Sequence, residues 1–183
     1  MAQTSTTSSS HPPPKPHNHP AALPDEELLA QCTLTRGRTG GPGGQHRNKV
    51  ETAVTLVHTP TGVKATAGER RSVRENKPVA VKRLRLNLAK EIRMPVPAGE
   101  CRSELWRSRC QKGRIICNPH HRDYPSLLAE ALDVIEACAY DMPKAALRLE
   151  CSATQLCKLI QNHAPAWAAL NKTRQSLGLR VLR

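Results

Sequence analysis

Residues 40–54 read Gly40-Gly41-Pro42-Gly43-Gly44-Gln45-His46-Arg47-Asn48-Lys49-Val50-Glu51-Thr52-Ala53-Val54. Four glycines and a proline in the first five positions forbid regular structure. The β-branched and apolar run that follows, Thr52 to His58, is strand chemistry. A loop therefore feeds a strand. Outward on the N-terminal side, Cys32-Thr33-Leu34-Thr35-Arg36 reads as a second strand leading into the loop, and Pro24-Asp25-Glu26-Glu27-Leu28-Leu29 as a short helix with acidic residues in its first turn, where the helix dipole favours them. On the C-terminal side, Thr59-Pro60-Thr61-Gly62 is turn chemistry and Val63 to Ala67 resumes the extended pattern, which predicts a β-hairpin. Between Ser72 and Arg93, Val81, Leu84, Leu88 and Ile92 recur at three- and four-residue intervals, so one long amphipathic helix is expected. The order strand, glycine loop, strand, strand, helix predicts an α+β unit: a small β-sheet covered on one face by that helix, with the loop projecting from the sheet.

The remainder divides by composition. Residues 1–23, rich in Ser, Thr, Pro and His, read as a disordered tail. Residues 24–93 form the α+β domain. Pro95, Pro97 and Gly99 break the chain, and residues 94–123, with Arg107, Arg109, Lys112 and Arg114, read as a linker or basic binding segment. From Tyr124 the pattern turns helical: Leu128, Ala131, Ile135 and Cys138 share a face, a second helix spans Pro143 to Glu150, and a third is capped by Ser152 with Gln155 and runs until Gly178 stops it. Residues 124–183 are thus expected to be a small helical bundle. The tight turn between its second and third helices also fits a helix-turn-helix reader of nucleic acid, although the charge there is low for that role.

Charge narrows the partners. The chain carries a formal +13, and residues 31–93 hold 14 Lys and Arg against 4 Asp and Glu. Such a surplus favours a polyanion through counterion release and long-range steering. Aromatic platforms cannot be the main binding mode, since there is no Phe, with two Trp and two Tyr. Contact with nucleic acid would run through phosphates and backbone. No apolar run approaches the ~18 residues of a membrane span, and Met1 to Pro20 lacks the charged start and apolar stretch of a secretory signal. No membrane association is expected, and the cytoplasm is the expected compartment.

Seven irregularly spaced cysteines fit a reducing compartment better than a disulfide framework. Cys101, Cys110, Cys117 and His120 would supply four soft ligands to a zinc ion. They lack a Cys-x-x-Cys knuckle, and cysteine is often a small buried hydrophobe, so neither a metal nor a cofactor is expected. A Cys-His nucleophile using His46 or His58 is not expected either, because no cysteine carries a signature for it.

Several landmarks stand in a fixed order: Gly43-Gly44-Gln45 followed by Asn48-Lys49, Ala53-Val54 with Leu56-Val57-His58, Pro60-Thr61-Gly62-Val63, and Glu69-Arg70-Arg71-Ser72 with Asn76 opening the helix. In this order residues 31–93 resemble the catalytic domain of class I peptide chain release factors and of the related codon-independent ribosome-rescue hydrolases. The resemblance implies hydrolysis of the ester between a nascent peptide and the tRNA 3′ end, in the peptidyl transferase centre of the large ribosomal subunit. It implies Gly43, Gly44 and Gln45 as catalytic residues, with the Gln45 backbone N–H facing the oxyanion and its side chain positioning water. The partners implied are the ribosome, through its large-subunit rRNA, and peptidyl-tRNA, with the protein acting as a monomer. Arg36, Arg38, Arg47, Lys49, Arg70, Arg71, Arg74 and Lys77 are the expected contacts to RNA phosphates. Arg47 departs from the aliphatic residue common at that place in the family, so an RNA contact replaces packing there. The chain shows neither a separate decoding domain nor the Lys/Arg-rich tail usual in rescue hydrolases, so a stand-alone, codon-independent mode is expected with a different means of recognising the ribosome. The alternative is an RNA-binding factor that keeps the release-factor fold without the reaction.

Overall fold

The computed structural model describes residues 19–38 and 50–183 of the chain. Its fold is α+β, a small sheet with several helices. Strands β1 (Cys32–Gly37), β2 (Ala53–His58) and β3 (Lys64–Ala67) form an antiparallel sheet in the order β1-β2-β3. The central strand β2 is the most buried, with Ala53, Val54, Leu56 and His58 shielded from solvent. Alternation on β3 buries Ala65 and Ala67, whose small side chains leave room for a helix across the face. The β2–β3 turn closes with Gly62 in the left-handed region at φ 72°, a conformation that glycine adopts without cost. Its amide and that of Thr61 both donate to the His58 carbonyl.

Helix α1 (Asp25–Ala30) precedes β1, and α2 (Val73–Glu91) packs on β2 and β3. Ser72 caps α2: its Oγ accepts the Glu75 N–H at 3.2 Å, while its hydroxyl donates to the Glu75 carboxylate. Ala80, Val81, Leu84 and Leu88 are its buried apolar stripe. Burying each leucine is worth about 1.5–3 kcal/mol. Ile92, expected inside the helix, is its half-buried C-cap.

Residues 94–123 contain helix α3 (Glu104–Arg109) and a minimal hairpin of β4 (Cys110–Gln111) and β5 (Arg114–Ile115). Lys112 and Gly113, both at positive φ, make the tight turn that suits a two-residue hairpin loop. The segment is fastened down. Glu130 accepts the Ser103 N–H and hydroxyl at 2.7 and 2.6 Å, and the buried Trp106 indole donates to the Leu149 carbonyl at 2.9 Å.

Four helices follow: α4 (Tyr124–Ala137), α5 (Met142–Arg148), α6 (Ala153–Gln161) and α7 (Ala164–Ser176). α4 is buried along nearly its whole length, because α2 covers it on one side and α5 and α6 pack elsewhere on it. The helix expected to run unbroken from Ser152 to Gly178 is two. Pro165 has no N–H for the Gln161 carbonyl and its ring would collide with it, so the chain restarts, with His163 Nδ1 accepting the Ala166 N–H as the new cap. Gly178 does end the second piece, in a Schellman motif: Leu179 N–H bonds the Arg174 carbonyl and Gly178 N–H that of Gln175.

Residues 19–23, read from sequence as part of the tail, are ordered. Pro20–Ala22 form a 3-10 turn capped by His19, a buried residue whose Nδ1 accepts the Ala21 N–H. The Ala21 carbonyl accepts from Arg85 and from Ser126. One buried apolar cluster runs from Ala21 through Leu56 and Leu84 to Leu128, Ile160 and Leu170.

Candidate functional site

The connection carrying the glycine run leaves β1 at Gly37 and re-enters the sheet at Ala53, and those two residues are register partners. Both ends of the loop are therefore anchored at one end of the sheet. Gly43, Gly44 and Gln45, together with His46, Arg47 and Lys49, lie outside the described residues. The frame around them is described. Arg38 and Glu51 face each other across the two legs at 3.7 Å, both more than half exposed, an ion pair of small energetic worth. The stronger tie is Asn76, fully buried in the first turns of α2. Its Nδ2 donates to the Thr52 carbonyl at 2.7 Å and to the Arg70 carbonyl at 3.0 Å, and its Oδ1 accepts the Arg70 N–H at 2.9 Å. One amide thus uses both its donors and an acceptor to join the returning leg of the loop, the segment before α2 and α2 itself.

Of the expected RNA-contacting cations, Arg36, Arg38 and Arg70 lie toward that end of the sheet. Arg36 pairs in register with Val54, and Val54 with Ala67, where β3 exits toward Arg70. Arg36, Arg38, Arg70, Arg71, Arg74 and Lys77 are all exposed. Of these, only Arg38 makes an ion pair with another described residue. Arg83, six residues beyond Lys77 on α2, is committed instead to Glu69 at 2.6 Å and to the Thr66 carbonyl. That hydrogen bond holds the Glu69 carboxyl below its ordinary range.

Among the described residues the other candidate chemistries are not assembled, and His46 lies outside them. His58 lies opposite Cys32 in register, but its ring nitrogens are engaged with Thr61 Oγ1 at 2.7 Å and Gln31 Oε1 at 3.1 Å. Burial pushes the Cys32 thiol up, the reverse of what a nucleophilic thiolate needs. Cys101, Cys110 and Cys117 each direct the thiol at a different backbone carbonyl, those of Arg148, Glu150 and Asn118. Burial raises all three thiols. Among the described residues no three His, Cys, Asp or Glu side chains stand where they would hold a metal ion. The helix pair α5–α6, weighed as a nucleic-acid reader, offers one cation, Lys158, on its second helix. Among the described residues no helix is long and apolar enough to cross a membrane.

Sequence reasoning named Asn76 as a landmark without a role. From sequence His120 stands only as a candidate zinc ligand, and Lys82, His121 and Arg122 have no role; the fold brings all four to one cleft.

The RF-1 domain profile matches residues 25–117. Peptide chain release factor 1 of Acidiphilium cryptum strain JF-5 is 44% identical over 85 residues, covering 43% of this chain and 24% of the relative. The chloroplastic peptide chain release factor PrfB1 of Arabidopsis thaliana is 47% identical over 66 residues, covering 36% and 14%. Peptide chain release factor 1 of Ureaplasma parvum serovar 3 is 49% identical over 74 residues, covering 37% and 21%. The chain therefore spans no more than 24% of the length of these relatives. The profile takes in α1, the sheet with the loop between β1 and β2, α2 and the segment through β5, which is more than half of the chain, so the protein belongs to the RF-1 domain family.

Proposed function

We propose that this protein hydrolyses the ester of peptidyl-tRNA on the ribosome, releasing the nascent peptide. The observation that carries the reading is Gly43-Gly44-Gln45 itself, intact within the family match and strung between the register partners Gly37 and Ala53. Ester hydrolysis passes through a tetrahedral oxyanion, and a fixed N–H aimed at the developing charge stabilises it without reorganisation of solvent. The Gln45 N–H supplies that donor. Gly43 and Gly44 turn it toward the ester through backbone angles closed to residues with a Cβ, in a cavity that rRNA leaves too narrow for side chains. The Gln45 amide side chain both donates and accepts hydrogen bonds, which suits it to orient water without attacking the ester. Arg36, Arg38, Arg47, Lys49, Arg70, Arg71, Arg74 and Lys77 hold the domain on RNA phosphates, each a salt-dependent contact.

The test is peptide release from ribosomes carrying peptidyl-tRNA on truncated, sense-codon and stop-codon messages. Gln45→Pro removes the proposed donor and is expected to slow release by about 10²–10³, the cost of one oxyanion-hole N–H. Gln45→Ala and Gly44→Ala, which disturb the water and the backbone turn, should also release slowly. Native rates in all three variants would overturn the assignment. The message dependence of the native chain distinguishes termination from rescue.

A further inference from the structure

A cleft of about 360 Å3 lies between α2 and the turn at residues 118–122, and its walls come from either side of the point where the family match ends. Lys77, Lys82 and Arg85 belong to α2, inside the match, whereas His120, His121 and Arg122 lie just beyond residue 117. The floor is apolar, formed by Leu29, Pro78, Val81 and Pro125. Among the described lining residues the one carboxylate is Asp25, and it is engaged by Arg85 at 2.6 Å. Arg85 also donates to the Ala21 carbonyl, so that pair is structural. Three cations are left for a ligand. Lys77 is exposed, Lys82 reaches only the His120 carbonyl at 3.3 Å among the described residues, and the Arg122 side chain is 91% exposed. The nearest carboxylate to Arg122, Asp123 at 3.8 Å, is already held by Arg109 at 2.6 Å.

A cationic rim above an apolar floor complements a strand of nucleic acid, with phosphates on the rim and a ribose or base face below. The volume falls near the lower end of the ~300–1,000 Å3 usual for ligand sites, and so suits one nucleotide rather than a duplex. Position adds to this. Lys77 follows Asn76, whose amide holds the returning leg of the glycine loop, so the cleft begins one residue along α2 from the anchor of that loop. We propose that the cleft binds one nucleotide of a single-stranded RNA segment, its phosphates held by Lys77, Lys82 and Arg122. The site deepens the RNA-facing side of the proposed function and rests on it for the identity of the polyanion, but requires no hydrolysis.

Fluorescence anisotropy of a labelled, mixed-sequence oligoribonucleotide with the full chain tests it. The double variant Lys82→Glu/Arg122→Glu is expected to bind at least about ten-fold more weakly, and its slope of log affinity against log salt should fall by about 1.4, the share of two phosphate contacts to a single strand. Lys158→Glu/Lys172→Glu, with the same charge change on exposed positions of α6 and α7, should bind within about two-fold of the native chain. Should the charge reversal lower the melting temperature, Lys82→Gln/Arg122→Gln replaces it. Photo-crosslinking of a thiouridine-bearing strand, mapped by peptide, should label residues 77–85 or 118–125. Native affinity in the cleft variant, equal weakening by both pairs, or labelling confined elsewhere would overturn the proposal. Peptide release is measured separately. Cleft-dependent RNA binding by a chain inert in release would sink the hydrolase and keep the site, and active release with cleft-independent binding would do the opposite.

Discussion

Asn76 shows how one buried side chain can join three segments of the chain at the base of the glycine loop. Its three hydrogen bonds, to Thr52 and to both backbone groups of Arg70, tie the returning leg of the loop to the segment that leads into α2. Removing the amide would leave these partly buried groups without partners, at up to about 1–3 kcal/mol each. Asn76→Ala is therefore expected to lower stability by at least about 2 kcal/mol, read as a shift of the denaturant midpoint at constant slope. Asn76→Asp is the sharper variant. It keeps the acceptor for Arg70 N–H but turns an oxygen on two carbonyls, so it should destabilise at least as much despite equal size. A denaturation curve like that of the native chain for either variant would remove Asn76 from this role. The sequence made the residue visible, as an Asn in the first turns of a long helix, but not its task. Its partners are local in one case and 24 residues away in the other, and spacing alone does not encode the second.

At the scale of elements, legibility followed the strength of the local signal. β2, β3 and α2 carry alternation or a helical stripe over many residues, and Ser72 and Ser152 announce their helices through side-chain caps. β4 and β5 are two residues each, too short for any period to show. The 3-10 turn at Pro20–Ala22 sits in a composition that reads as disordered, and its order comes from distant partners, Arg85 and Ser126. The break before α7 was written in Pro165, but the continuing apolar pattern of Leu156, Leu159, Ile160 and Leu170 masked it. The β2–β3 turn yields a pH prediction. His58 is 1% exposed, and burial lowers its pKa from the ordinary 6.5. The unfolded chain thus takes up this proton first as pH falls, so the contribution of His58 is whole above about pH 6.5 and is lost on descending through the folded value. His163, lowered by burial and then by Lys90, acts in the same direction. The melting temperature should fall from about pH 7 to about pH 5, and His58→Gln should lose less over that interval than the native chain. An identical loss would assign the acid sensitivity to other groups.

Across the whole molecule, the boundary of the family match does not coincide with a boundary in packing. Residue 117 falls in the middle of a continuous apolar cluster, and α4, entirely beyond it, packs against α2. Polar ties cross at the same places: Ser103 to Glu130, Met94 N–H to Asp133 and Trp106 to the Leu149 carbonyl. The sequence expectation of a separate helical bundle at residues 124–183 implies that its removal leaves the α+β domain folded. The packing predicts otherwise. A fragment of residues 1–123 would expose the face of α2 that α4 covers and would leave Trp106, 1% exposed in the full chain, without its neighbour and its acceptor. Losing the burial of one large side chain alone costs about 1.5–3 kcal/mol, a large part of the ~5–15 kcal/mol that stabilises a domain, and α4 buries many. The fragment should therefore melt without cooperativity, and Trp106, its one tryptophan, should emit at the red-shifted wavelength of an indole in water. Full-length Trp167→Phe, which leaves Trp106 as the sole tryptophan in its native setting, supplies the blue-shifted reference under excitation selective for tryptophan. A fragment with that blue-shifted emission and a cooperative transition would show that the family segment folds by itself, and the helices beyond residue 123 would then be an appended module.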